Sequence, residues 1–218
     1  ETLSAEVAEI RRDKDRATGV RLADGTMIEA GCVIVAAGTG TRDLLAPLGI
    51  PLPVAAKKRC IFTFSCRDRL PGFPMLIDPS GVYCRPEGEL FLTGTAPPED
   101  AEGDATDFEV DWDLFEEVLW PVLAARVPAF EAIRPARAWA GHYDMNLFDH
   151  NAIIGRLPPF DNLLVANGFS GHGLQQAPAV GRGLAELAVD GRYTSLDLSP
   201  LGYERILEGR RMIEKNIV

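Results

Sequence analysis

Cys32-Val33-Ile34-Val35-Ala36-Ala37-Gly38 is an unbroken apolar run ending in glycine, and Leu163-Leu164-Val165-Ala166 repeats the pattern before Asn167-Gly168-Phe169-Ser170-Gly171-His172-Gly173. A strand without polar alternation suits burial on both faces, as in a parallel sheet. Each run ends in small residues that let backbone approach a ligand closely. The first passes through Gly38-Thr39-Gly40-Thr41 into a short helix predicted over Arg42 to Leu48, the second into a helix predicted over Gln176 to Val189. Pro178 falls in the predicted first turn of that second helix, where its missing N–H costs nothing. Bare loop amides together with a helix N-terminus stabilise negative charge, on a phosphate or on a reduced ring system.

Upstream, extended runs Ala5 to Ile10, Gly19 to Leu22 and Met27 to Ala30 are separated by a charged turn, Arg11 to Arg16, and by Asp24-Gly25, a hairpin signal. From about Ile50 to Ala140 the composition shifts to Pro, aromatics and short strands: Arg59 to Ser65, Met75 to Ile77, Val82 to Arg85 and Leu90 to Gly94. This pattern predicts an antiparallel sheet. The acidic stretch Pro97 to Asp107 reads as an exposed loop. Trp112, Phe115, Leu119 and Val122 then follow at helical spacing, predicting an amphipathic helix kinked near Pro121, its aromatics read as core. The last third returns to the first pattern, so a ligand-binding layer is interrupted by an inserted sheet. The expected organisation is 1–49, 50–140 and 141–218, without internal repeats.

The chain has 218 residues, 46% of them apolar, enough for a core, and no apolar stretch reaches membrane-spanning length. Its formal charge of -10 repels phosphate backbones and anionic lipid, so nucleic acid is excluded as a partner class. Cys32, Cys60, Cys66 and Cys84 form no C-x-x-C pair and lie in apolar runs; they read as reduced core residues of a cytosol-like compartment, with no metal site expected from them or from the three histidines. The sequence opens at Glu1, close to a strand-like run, and carries no G-x-G-x-x-G fingerprint, since Gly38-Thr39-Gly40 and Gly171-His172-Gly173 continue with the wrong spacing. It reads as the carboxy-terminal portion of a protein of roughly twice this length.

Gly19-Val20-Arg21-Leu22-Ala23-Asp24-Gly25 followed by Val33-Ile34-Val35-Ala36-Ala37-Gly38 resembles the middle of the FAD-dependent glycine and D-amino-acid oxidase family, which includes sarcosine oxidase. Asp149-His150-Asn151-Ala152-Ile153-Ile154-Gly155, then Gly168 to Gly173, is similar to that family's carboxy-terminal flavin signature. Asn146 to Asp149, Gly168 to Pro178 and Asp197-Leu198-Ser199-Pro200 are similar to a mitochondrial branch associated with assembly of respiratory complex I. The resemblance covers nearly the whole chain and is weakest from Pro97 to Phe130.

The resemblance implies an α+β chain: an incomplete α/β dinucleotide-binding fold for FAD with an inserted antiparallel sheet that roofs the flavin ring and holds substrate. It implies Val7 on the strand that meets adenine, Ala36, Ala37 and Gly38 on the adenosine side, and Gly168, Phe169, Ser170, Gly171, His172 and Gly173 facing the flavin. There the loop amides would stabilise charge on the reduced ring, and the His172 side chain would be structural rather than a proton carrier. Relatives clamp a substrate carboxylate with Arg or Lys. The matching places hold Tyr143 and Gln175, neither cationic; His142 with Tyr143 supplies neutral donors, which hold carboxylate more weakly than a guanidinium. A core-aromatic role for Tyr143 stays open beside the donor role. Some relatives attach FAD through a cysteine where Gly141 stands here, so attachment is expected to be non-covalent, and retention of FAD by this stretch alone weak or absent. The implied activity is oxidation of a C–N bond of a small amine or amino acid by hydride transfer; the alternative is a flavin-bearing assembly factor partnered with a respiratory complex. The implied location is cytoplasmic in a bacterium or the mitochondrial matrix in a eukaryote.

Overall fold

The structure, a computed structural model, describes residues 1–96 and 103–212; the first part of the expected acidic loop, 97–102, lies outside the described residues. In chain order the strands are β1 (Val7–Asp13), β2 (Arg16–Leu22), β3 (Met27–Glu29), β4 (Val33–Val35), β5 (Val54–Cys66), β6 (Leu76–Ile77), β7 (Tyr83–Glu87), β8 (Leu90–Gly94), β9 (Ile133–Asn146), β10 (Ile153–Leu157) and β11 (Phe160–Asn167). The α-helices are α1 (Thr41–Leu45), α2 (Trp120–Arg126), α3 (Gly173–Val189) and α4 (Glu204–Leu207). The described chain divides into two compact units, 1–55 with 144–212, and 56–143.

In the first unit, β1, β2 and β3 form an antiparallel meander, and β10, β11 and β4 form a mixed sheet in which β11 runs antiparallel to β10 and parallel to β4. Alternation along the mixed sheet sends Ile153, Leu163, Val165, Val33 and Val35 into a cluster with Ile10 and Ala17 of the meander. It sends Ile154, Leu164 and Ala166 against Val180, Leu184 and Leu187 of α3. These are three layers around two apolar seams. The charged turn is shorter than its sequence indicates: Asp13 pairs with Arg16, so only Lys14 and Asp15 turn. Arg11 and Arg12 continue the strand because their side chains face water while Ile10 is buried. Burial of β4 on both faces also fails, since Ile34 is 44% exposed between two buried valines. β4 is the last strand of its sheet among the described residues, beyond the cover of α3.

The second unit is the expected antiparallel sheet, ordered β6-β7-β8-β5-β9. Cys60, Phe62, Phe64, Cys84 and Phe91 line one face, and Phe115, Leu119, Leu123 and Phe130 close over it. The helix predicted from Trp112 is a π-helical segment, Leu114–Leu119, leading into α2. Pro121 sits in the first turn of α2, directly after the π-helical turns, where its missing N–H ends the wider hydrogen-bonding pattern. The four cysteines are free thiols; Cys60 and Cys84 are core residues as expected, while Cys32 and Cys66 are half-buried. Burial pushes the Cys84 thiol up to about 12. No helix among the described residues is long and apolar enough to cross a membrane.

Candidate functional site

The loop joining β11 to α3 has three left-handed residues in close succession: Gly168 at φ +69°, Ser170 at +51° and Gly171 at +94°. α3 begins at Gly173 with His172 as its N-cap, three residues earlier than the sequence predicts. Pro178 therefore lies inside the helix, and the carbonyl it deprives of a donor belongs to Leu174, a residue 90% exposed, so water serves it.

The loop amides are not all bare. The Gly168 N–H donates to Asp144 Oδ2 at 2.8 Å, the Ser170 N–H to the Asp144 carbonyl at 3.2 Å, and the His172 N–H to the Phe169 carbonyl at 2.9 Å. Among the described residues, those of Gly171, Gly173, Leu174 and Gln175 have no protein acceptor, while the Gln176 N–H reaches the His172 carbonyl at 3.3 Å. The Phe169 side chain packs into the core cluster under α3, where a Cβ on Gly173 would meet its Cβ at 3.3 Å, so only its backbone is offered to a ligand. Gln175 is exposed in the first turn of α3.

Asn167, at the end of β11 and fully buried, donates its Nδ2 to the Gly38 carbonyl at 2.8 Å and to Asp144 Oδ2 at 3.2 Å. Its Oδ1 is buried without a hydrogen-bond partner. Burial pushes the Asp144 carboxyl above its ordinary range despite the N–H groups of Phe169 and Gly168. A separate cleft of about 750 Å³ is lined by Val7, Ala8, Val33, Ala36, Ala37 and Leu44. The structure thus gathers Val7, Ala36 and Ala37 around one cleft, and links Gly38 instead to the glycine loop through Asn167.

In the second unit, alternation along β9 sends His142 and Tyr143 to opposite faces of the sheet. His142 Nε2 lies 2.7 Å from the Asp107 carbonyl and its ring stacks on Phe108 with centroids 4.2 Å apart. Lys58 Nζ donates to Asp107 Oδ1 at 2.7 Å, so the segment 103–109 is strapped along β5 and β9 and His142 is occupied by it. The Tyr143 ring lies under the Arg59 guanidinium, 5.5 Å from its centroid. Arg59 belongs to β5, is 7% exposed, and donates Nη1 to the Lys58 carbonyl. Tyr83 occupies the same face: Gly94, Ile61 and Tyr83 lie across three strands, and a Cβ on Gly94 would stand 2.7 Å from the Tyr83 hydroxyl. Burial, then the neighbouring Tyr143, push the Tyr83 phenol up to about 12, so it remains a donor at neutral pH.

Sequence reasoning missed Arg59, Asp144 and Asn167. Arg59 was readable, because it alternates with Cys60, Phe62 and Phe64 along one strand and so must face away from the aromatic core.

A loop with bare amides running into a helix N-terminus is a site of the kind that holds an anionic cofactor. The family profile described as DAO, FAD dependent oxidoreductase, matches residues 3–187, and the chain belongs to that family. It is similar to FAD-dependent oxidoreductase domain-containing protein 1 of Xenopus laevis, 46% identical over 186 residues, covering 84% of this chain and 37% of that protein. Glycine oxidase of Pseudomonas aeruginosa is 30% identical, with 87% of this chain and 50% of that enzyme covered. Among solved structures, L-proline dehydrogenase from P. horikoshii superposes with a TM-score of 0.84 at 25% identity, over 95% of this chain and 55% of that one. The chain spans about two-fifths to one-half of these curated relatives. The family's FAD fits the residues present: among the described residues Asn167 Oδ1 is a buried acceptor without a donor, and the N–H groups of Gly173, Leu174 and Gln175 at the start of α3 are donors without acceptors.

Proposed function

We propose that the whole protein is an FAD-dependent oxidoreductase that removes a hydride from the carbon beside the nitrogen of a small amine bearing a carboxylate. FAD, bound non-covalently, supplies the hydride acceptor. Gly171 and the first turn of α3 hold the electron-rich end of the cofactor with their N–H groups, and the helix dipole adds positive potential there. His172 and Gly173 shape that turn through their backbone, while Val7, Ala36 and Ala37 present an apolar cleft for the adenine end.

The observation that carries the substrate class is Arg59 seated over Tyr143. A guanidinium held against Tyr143, on the face turned away from the aromatic core, attracts a carboxylate more strongly than neutral donors do. The hydroxyls of Tyr143 and Tyr83 complete the donor set, and Tyr83, protonated at neutral pH, donates without adding charge. His142 positions the strap through Asp107 and Phe108 rather than touching substrate.

Anaerobic mixing of the full-length holoprotein with N-methyl and D-amino acids tests this reading. Bleaching of the flavin absorbance is expected, with Arg59→Met weakening carboxylate-bearing substrates by roughly 10- to 150-fold, as for the loss of a charged hydrogen bond. Bleaching by no amine would overturn it in favour of a flavin-bearing assembly role with a respiratory complex as partner.

A further inference from the structure

Asp144 closes β9 and touches the loop after β11 at two backbone positions. Its Oδ2 takes the Gly168 N–H at 2.8 Å and its carbonyl takes the Ser170 N–H at 3.2 Å. Two residues on, the Asn146 N–H donates to Ser170 Oγ at 3.0 Å. The end of β9 thus clasps the segment in which Gly168, Ser170 and Gly171 all have positive φ. Ser170 has a Cβ, so its left-handed backbone persists only because its surroundings impose it. Those surroundings are Asp144 on its N–H and Asn146 on its hydroxyl.

The same carboxylate oxygen also accepts Asn167 Nδ2 at 3.2 Å, and that amide reaches the Gly38 carbonyl at 2.8 Å. One side chain therefore ties the ends of β9 and β11 together and, through Asn167, holds the turn that follows β4. Its carboxylate takes the Gly168 N–H away from a ligand while the residue's backbone carbonyl takes that of Ser170, so the N–H groups of Gly171, Gly173, Leu174 and Gln175 are left.

We infer that Asp144 is the positioning residue of the flavin-facing loop, setting which N–H groups meet the cofactor and locking the Asn167 amide between the two strand ends. The inference rests on the reading that this loop meets FAD. Asp144 does not itself touch the cofactor; it acts through Gly168, Ser170 and Asn167. Without its carboxylate the loop samples other backbone conformations, and binding must then select the competent one.

The test uses the full-length protein and reads FAD affinity by fluorescence titration, the visible flavin spectrum and the melting temperature of the apoprotein. Asp144→Ala should weaken FAD at least tenfold, consistent with removing a charged acceptor from two donors. Asp144→Asn can keep, at the Oδ2 position, one oxygen that accepts both the Gly168 N–H and Asn167 Nδ2, so it should recover most of the affinity and the parental flavin spectrum that Asp144→Ala loses. Gly171→Val serves as the control for the loop itself. If Gly171→Val loses FAD while Asp144→Ala and Asp144→Asn bind it as the parent does, the positioning role is wrong and the flavin site stands. If none of the three changes affinity, the loop does not meet FAD and both readings fall. Should Asp144→Ala not fold, Asp144→Ser, whose shorter side chain does not reach either donor, decides in its place: parental affinity and spectrum overturn the inference, a loss in either upholds it.

Discussion

Arg205 chelates Asp149: its Nε and Nη2 reach the two carboxylate oxygens at 2.8 and 3.0 Å, and neither side chain is exposed to solvent. The pair is embedded in a wider network. Asn146 Nδ2 and the Asn151 N–H donate to Asp149 Oδ1, and the Met212 N–H donates to Oδ2. Since Asn146 also holds Ser170, the buried ion pair connects α4 and the chain beyond it to the loop between β11 and α3. Every lone pair and donor placed there has a partner, which offsets the desolvation of two buried charges.

Breaking one side of this pair should be expensive. Asp149→Asn or Arg205→Met is expected to cost about 3–5 kcal/mol, because each leaves a buried charge uncompensated. Replacing both by apolar residues should cost less than the sum of the single changes. Urea denaturation of the two single variants and the double variant measures this; additive losses would show the two residues to be energetically independent.

The buried Asp149 and the half-buried Asp144 should give opposite pH slopes. Burial raises the Asp149 carboxyl, but Arg205 and the Met212 N–H outweigh it and hold it below the ordinary carboxylate range. Its stabilisation is present above the unfolded-state value and lost as pH falls through the lower folded one. Asp144 is raised, so the folded state binds its proton more tightly than the unfolded state, and stability falls as pH rises from the ordinary value through the raised one. Denaturation midpoints across the acid range should show Asp144→Asn flattening the upper slope and Asp149→Asn removing the lower.

The meander contains a backbone contact that only glycine permits. Gly19 in β2 has φ +142°, and a Cβ there would stand 1.9 Å from the Ile28 carbonyl oxygen of β3. The clashing atom is main chain, so β3 must move and the Gly19–Glu29 pairing opens. Gly19→Ala should destabilise by more than about 2 kcal/mol, combining strain with lost pairing. A melting temperature equal to the parent's would refute this account of the meander.

Both strands quoted at the outset were legible because Val33, Val35, Leu163 and Val165 are apolar wherever the sheet needs them to be. β9 was not. Arg134, Pro135, Arg137, His142 and Asp144 interrupt its run, and such residues are tolerated because β9 is the edge of its sheet, where a missing N–H breaks no ladder and one face meets water. The start of α3 was misread because Pro178 was taken as a first-turn residue, whereas an exposed Leu174 carbonyl makes an interior proline affordable. Glycine spacing pointed to the loop between β11 and α3 but not to its clasp. Asp144 and Asn167 act across sequence separations of 23 residues and more, which no local pattern encodes.

Gly171→Val should separate fold from cofactor. Gly171 is exposed and has φ +94°, so a branched residue there costs local strain while removing nothing from the core. In the full-length protein the expected outcome is a melting temperature within a few degrees of the parent apoprotein and loss of most bound FAD, read by absorbance after denaturation. Unchanged flavin content would place the cofactor elsewhere.

The two neighbours His142 and Tyr143 should behave oppositely, since the strand turns them to different faces. Tyr143→Phe keeps the ring beneath Arg59 and removes only the hydroxyl, so the melting temperature should hardly move. If that hydroxyl donates to a substrate carboxylate, kcat/KM falls roughly 5- to 150-fold, the range for one lost hydrogen bond to a charged group. His142→Ala instead removes the stacking partner of Phe108 and the contact with the Asp107 carbonyl. It should loosen the strap, seen as faster proteolysis near residues 103–109, while kcat stays within about threefold of the parent because the ring touches no reacting group. Steady-state kinetics and limited proteolysis on the same preparations decide the matter. A large loss of kcat in His142→Ala with none in Tyr143→Phe would mean that substrate meets the other face of the sheet, and that Arg59 serves only to pack Tyr143.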